Sequence, residues 1–201
     1  MKDIKSSETK KEKIKRAAFL LIAKKGIDNT SMSDIAAACG VTKPVLYYYF
    51  KDKEDLIYNL VAEKTFETNS KLSAFLKEDN SFEKFCIFTF KEYLGLSGKN
   101  PREVLCFIAH ISSYTYSHKD FEKRISPITN LISDVLFEAV EKEYKQGHIT
   151  AKNKEIAKHL ILAVIAHLVL HNQENGLRFT ESYPKDMVKT LLKAIDYKGS
   201  K

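Results

Sequence analysis

The chain has 201 residues, enough for one or two small domains, and its 44% apolar content can furnish a buried core. Only 7 Gly and 4 Pro leave too little turn-forming material for an all-β fold, so an all-α protein of about nine helices is expected. The formal charge of +7 is unevenly spread, with 12 Lys+Arg against 6 Asp+Glu in residues 1–53 and 21 against 20 in the rest, so the basic excess lies at the N-terminal end.

Cys39, Cys86 and Cys106 are odd in number and widely separated, a pattern that fits reduced, buried thiols better than a zinc or redox motif. No signal-peptide-like run follows the N-terminus, and no segment reaches the roughly 20 apolar residues of a membrane span, so a cytoplasmic protein is expected.

Residues 1–8 are polar and lysine-rich and read as an arm able to add nonspecific attraction to DNA. Thr9 with Glu12 forms a capping box before a first helix whose stripe is Ile14, Ala17, Ala18, Leu21 and Ile22; Lys24 and Lys25 stand at its negative end. Ser31 and Asp34 repeat the capping pattern and open a second helix over residues 32–39. Gly40 supplies the left-handed exit. Thr42 is a ready N-cap for a third helix over 43–50, with Pro44 tolerated in its first turn.

This third helix carries Val45, Leu46, Tyr47, Tyr48, Tyr49 and Phe50, more apolar and aromatic surface than a short helix can bury. The surplus combines phenolic hydroxyls, Lys43 and backbone N–H groups suited to phosphate oxygens, and Lys53 extends the charge. Lys43 can donate to a guanine edge, while Pro44 and the tyrosine rings can touch thymine methyls in the major groove. Three tyrosines half-buried in a small bundle are the plainer alternative.

The stretch resembles the DNA-binding signature of the tetracycline-repressor (TetR) family of transcriptional regulators. The resemblance is carried by Asp34-Ile35-Ala36, Gly40-Val41-Thr42, Leu46-Tyr47 with Phe50, and Lys53-Glu54 with Leu56, about the first quarter of the chain. It implies phosphate contacts from Ser31, Thr42, Tyr47, Tyr48 and Lys53, and base contacts from Lys43, Pro44 and Val45. Ser33 and Tyr49 complete the expected DNA-facing set. Pro44 and Tyr49 depart from the commonest family pattern, which has glycine and histidine there, so the operator sequence is not implied.

Asp52 and Asp55 start a fourth helix running towards Leu76, a connector whose apolar stripe thins after Val61 into a polar run over 67–71. Residues 77–80 break it. The expected division is therefore a helix-turn-helix domain over 1–52 and a helical regulatory and dimerisation domain over 53–201. Ser81 caps a phenylalanine-rich fifth helix that ends in a turn over 95–98, and Asn100-Pro101 opens a sixth. Ser117 with Asp120 starts a long seventh helix, kinked at Pro127 and stopped by Gly147.

Aromatic residues at helical spacing are mostly core, yet bundles of this size hold ligands between helices, and the family places its effector pocket here. Phe85, Phe88, Phe107, His110 and Tyr114 are the expected lining of a pocket for an apolar, aromatic or amphipathic ligand. The eighth helix, over 152–173, contains an apolar run over 160–170 that a small domain rarely covers alone. The last helix, capped by Ser182, has a matching stripe that includes Met187. Leu160, Val164, His167, Leu168 and His171 with Val188, Leu191, Leu192 and Ile195 are thus expected at a two-fold dimer seam, the family's usual assembly. His167 and His171 lie four apart without a fixed third ligand, so neither a metal nor a cofactor is expected.

Together these features point to a dimeric DNA-binding regulator, a repressor released from a near-palindromic operator by a small molecule. A helical enzyme lacks any catalytic constellation, and a hydrophobe carrier leaves the capped helix-turn-helix unexplained.

Overall fold

Thr9 accepts the backbone N–H of Glu12 while Glu12 accepts that of Thr9, closing the capping box in front of α1 (Lys10–Lys25). The computed structural model describes residues 8–78, 80–93, 101–175 and 182–199; for residues 93, 101, 102, 105 and 166–175 it describes the backbone alone. Helices α2 (Met32–Cys39), α3 (Lys43–Tyr49), α4 (Lys53–Lys77), α5 (Phe82–Tyr93), α6 (Pro101–Ser117), α7 (Lys119–Lys145), α8 (Ala151–Asn175) and α9 (Tyr183–Ala194) follow, without a strand among the described residues. The fold is all-α, as the composition predicts.

Helix ends obey local chemistry. Asp52 accepts the Asp55 N–H at 2.7 Å and starts α4; Ser81 and Thr150 do the same for α5 and α8 through Lys84 and Asn153. Gly147 stands at φ 78° just past α7, where its N–H and that of His148 turn back to the carbonyls of Tyr144 and Glu143. Helix α7 runs through Pro127 without interruption. Its start differs from expectation, because Ser117 closes α6, donating to the Ser113 carbonyl, and His118 alone separates the two helices. The predicted turn over 95–98 and the Asn100 cap lie outside the described residues.

Three apolar clusters stack along the molecule. The first holds α1, α2 and α3 together through Ile14, Ala18, Ile35, Leu46, Phe50 and Leu56. The second, around Ile22, Ile57, Phe107, Phe121 and Ile125, joins α1 and α4 to α6 and α7. The third is the body, where Phe85, Phe90, Leu136, Val140, Ile161 and Val188 bring α5 and α7–α9 together. Because α1 and α4 contribute to both of the first two clusters, the N-terminal helices form a head fastened to the body. They are not a bead on a linker.

The phenylalanine and α9 stripes are used differently from expectation. Phe85 is 2% exposed in the body core, and Phe88 stacks on Phe75 at 4.4 Å between ring centroids. On α9 and at its C-cap, Val188, Leu191 and Ile195 are buried in the chain's own core. They pack inward because α9 lies against α5; of the four α9 residues expected at a dimer seam, only Leu192 stays half-buried at the edge.

Candidate DNA-binding surface and internal cavity

Gly40 makes the sharp turn between α2 and α3. It sits at φ 68°, ψ 33°, and a Cβ there would meet nothing within 4 Å, so glycine is needed for its backbone conformation and not for space. The Val41 N–H returns to the Ala36 carbonyl at 3.0 Å, which sets α3 across α2. Leu46 and Phe50, 0% and 1% exposed, pin the inner face of α3. The tyrosine cluster then divides: Tyr49 packs against the head core, while Tyr47 and Tyr48 are 51% and 83% exposed.

Lys43 and Pro44 project from the first turn, and Val45 is half-buried behind them. Lys43 makes no ion pair among the described residues, so its ammonium is available to an anion or a base edge. Thr42 occupies the N-cap position of α3, but its hydroxyl makes no capping hydrogen bond and stays exposed, a departure from the predicted cap. Ser31 is engaged. Its hydroxyl accepts the Asp34 N–H and donates to the Asp34 carboxylate at 2.7 Å, which holds that carboxyl below the usual carboxylate range. Ser33 is exposed on the next residue but one.

Lys53 is anchored as well. Its ammonium donates to the Ile27 carbonyl at 2.8 Å, leaving two N–H donors, and so ties the start of α4 to the α1–α2 turn. The same turn of α4 is gripped from the body. Tyr114 donates to the Glu54 carboxylate at 3.0 Å, and burial, reinforced by that acceptor, pushes its phenol up to about 12. Arg124 pairs with Asp55 at 3.1 Å and lies 4.5 Å from the centre of the Tyr58 ring. His110 packs beside Gly26, where a Cβ would come within 3.3 Å of its Nδ1. Glu54, Asp55 and Arg124 were not expected in a functional role; the acids looked like ordinary helix-start residues, and only tertiary structure reveals their partners.

A cavity of about 620 Å³ opens between α1, α4 and α6, reaching α7. Its apolar wall includes Phe19, Leu60, Val61, Phe107, Ile111 and Ile132, and its hydroxyls are those of Thr65, Thr68, Ser112 and Thr129. Of the five residues expected to line a pocket, Phe107 does so; Tyr114 and His110 serve the head–body contact, and Phe85 and Phe88 the body core. The sequence signal for α4's share was Val61, Thr65 and Thr68 at helical spacing, hidden inside a stretch read as a polar connector.

The outer face of α8 presents Ile156, 39% exposed, with Leu160, Ala163 and Val164 one and two turns on. The side chains of His167, Leu168 and His171 lie outside the described residues. No helix among the described residues is long and apolar enough to cross a membrane.

Residues 14–59 match the family described as bacterial regulatory proteins, tetR family. Over those residues the chain carries that family's N-terminal signature. It is 26% identical over 181 residues to the Bacillus subtilis HTH-type transcriptional regulator YerO, covering 85% of this chain and 56% of YerO. Over 133 residues it is 26% identical to the Bacillus subtilis fatty acid metabolism regulator protein, covering 65% of this chain and 69% of that one. The chain thus spans little more than half of the first of these relatives. In fold it is similar to the Bacillus subtilis transcriptional regulator FadR in complex with stearoyl-CoA, at a TM-score of 0.73 and 19% identity over 94% of this chain and 98% of that one. The match over 14–59 takes in most of α1, all of α2 and α3 and the first turns of α4, residues that build the head.

Proposed function

We propose that this chain is a DNA-binding transcriptional regulator of the TetR family, acting as a homodimer on a near-palindromic operator and released from it by a small amphipathic molecule. The observation that carries the reading is the division of α3 into a buried anchor, Leu46 and Phe50, and a solvent-facing edge of Lys43, Pro44, Tyr47 and Tyr48. A short helix with a buried rear and a cationic, aromatic front suits the major groove. Phosphates meet Thr42, Tyr47, Tyr48 and the remaining donors of Lys53, and base edges meet Lys43, Pro44 and Val45.

The apolar stripe Ile156, Leu160, Ala163 and Val164 on α8 supports a seam with a second copy, continued by His167, Leu168 and His171 further along the same helix and edged by Leu192 of α9. Two-fold symmetry then sets two copies of α3 about one DNA turn, roughly 34–36 Å, apart or at a related spacing. The effector occupies the cavity between α1, α4, α6 and α7; the stearoyl-CoA seen with FadR is an amphiphile with an apolar chain. Helix α4 is both cavity wall and base of the head, so a ligand that favours one packing of α4 against α6 changes the spacing of the heads. Release needs only differential affinity for the two geometries. The chain acts as a regulator in this reading, not as a catalyst, and works in the cytoplasm as a repressor.

Selection of bound sequences from random duplex DNA, run with the wild type and Lys43→Ala, tests the reading. The wild type is expected to enrich a two-fold symmetric site, and Lys43→Ala to relax the preference at symmetric positions by about 1–3 kcal/mol of base discrimination. A uniform loss across all sequences would remove Lys43 from base reading, and no enrichment by the wild type would remove the regulator.

A further inference from the structure

The buried stripe of α4 runs Ile57, Val61, Thr65, Thr68, Leu72, and two of its five positions carry hydroxyls where helix packing calls for aliphatic side chains. Thr65 and Thr68 are each 7% exposed, both line the cavity, and neither hydroxyl makes a hydrogen bond among the described residues. Several other helical hydroxyls bond back one turn, as Ser112 does to Ile108, Ser126 to Glu122 and Thr190 to Asp186, while Thr89, buried in α5, is left without a partner among the described residues. Neither the Thr65 nor the Thr68 oxygen is sealed from solvent, so both hydroxyls open onto the cavity, where valine, of the same shape, would present no polar atom. Two such hydroxyls one turn apart, facing a cavity, are placed to meet a polar group that enters it.

The charges around the cavity say what kind of group. Its cations are Lys15, Arg16 and Lys64, and its carboxylates are Glu12, Glu63, Glu67 and Glu92, so acids outnumber bases four to three. Each cation is already paired with an acid of this chain: Lys15 with Glu63, Arg16 with Glu8, and Lys64 with Glu67. Glu92, with a side chain 7% exposed, is met by Lys71 at 3.1 Å. Among the described residues a carboxylate or phosphate head group finds no spare cation and more acids than bases lining the cavity, while a cationic head group has to displace Lys71 or Lys15 from its carboxylate.

We infer that the molecule held in the α1–α4–α6–α7 cavity is an uncharged amphiphile, an apolar body bearing a hydroxyl, carbonyl or ether oxygen that hydrogen-bonds Thr65 and Thr68. This inference rests on the reading of the cavity as the effector site and adds its chemistry: the polar end goes inward to α4, and discrimination against ions comes from the self-paired rim.

A displacement titration separates the two levels. The full-length protein is loaded with the uncharged dye N-phenyl-1-naphthylamine and titrated with 1-decanol, decanoate, decanoyl-CoA and decyltrimethylammonium, four molecules with ten-carbon chains. The expected result is that 1-decanol displaces the dye at least tenfold more tightly than any charged probe. The Thr65→Val/Thr68→Val variant is expected to weaken 1-decanol about tenfold while the dye's own affinity holds within twofold, and to melt no lower than the wild type. Tighter displacement by decanoate, decanoyl-CoA or the ammonium overturns the ligand class and leaves the cavity reading standing. An unchanged 1-decanol affinity in the double variant overturns the threonine assignment. Failure of the dye to bind at all overturns the cavity reading itself.

Discussion

Replacing Phe50 with alanine is expected to lower stability by about 3–5 kcal/mol, as for other phenylalanines removed from a packed core. Phe50 is 1% exposed and sits at the C-cap of α3 in an extended conformation, φ −139°, from which its ring enters the cluster formed by Ile14, Ala18, Ile35, Leu46 and Leu56. That cluster is small, and few neighbouring side chains can move to refill the space. A chain of this length shifts its melting temperature by about 2–4 °C per kcal/mol, so a fall of roughly 10 °C is expected in a thermal scan. DNA binding should disappear with it, since Leu46 and Phe50 are the buried anchors that set which edge of α3 faces outward. A loss below about 1 kcal/mol would mean that the head is not organised around this ring.

The neighbouring tyrosines should behave in the opposite way. Tyr47→Ala/Tyr48→Ala removes side chains that are 51% and 83% exposed, so the melting temperature should stay within about 2 °C while affinity for DNA falls roughly 10- to 100-fold. The salt dependence separates the mechanisms further. Tyrosines carry no charge and release no counterion, so the slope of log K against log salt should be unchanged in this variant, whereas removing a phosphate-bound lysine reduces it by about one. A double variant that melts like the wild type and binds DNA as well as the wild type would place the reading surface elsewhere.

How much of this was legible in the sequence depends on the range of the interaction. The capping pairs Thr9–Glu12 and Ser31–Asp34, the left-handed Gly40 and the Asp52 cap involve residues at most a few positions apart, and they mark helices that the structure contains. Local pattern failed where two arrangements share one local signal. Ser117 and Asp120 looked like an N-cap pair, but the Ser117 hydroxyl finds the Ser113 carbonyl one turn behind it. The apolar stripe of α9 could face a partner or its own body, and only the placement of α5 assigns Val188, Leu191 and Ile195 to the interior.

The cavity was the least legible feature. Phenylalanine density pointed to α5, but there Phe82, Phe85 and Phe90 fill the core and leave no room. The open space lies instead where α1 of the head meets α6, at Phe19 and Phe107, whose rings approach to 5.0 Å. Residues 88 positions apart in sequence leave no periodic trace of such a meeting. The contacts that tie head to body, Tyr114 with Glu54 and Arg124 with Asp55, span 60 and 69 positions and were invisible for the same reason.

Binding of the wild-type protein to a selected duplex across a salt series, from about 50 to 300 mM, tests most directly whether the edge of α3 grips DNA. The expected outcome is a linear fall of log K with log salt, with a slope of about −3 to −8, as for several phosphates neutralised by two heads, together with tighter binding to the selected site than to scrambled DNA at every salt. A slope near zero, or equal affinity for selected and scrambled duplexes even at the lowest salt, would contradict it.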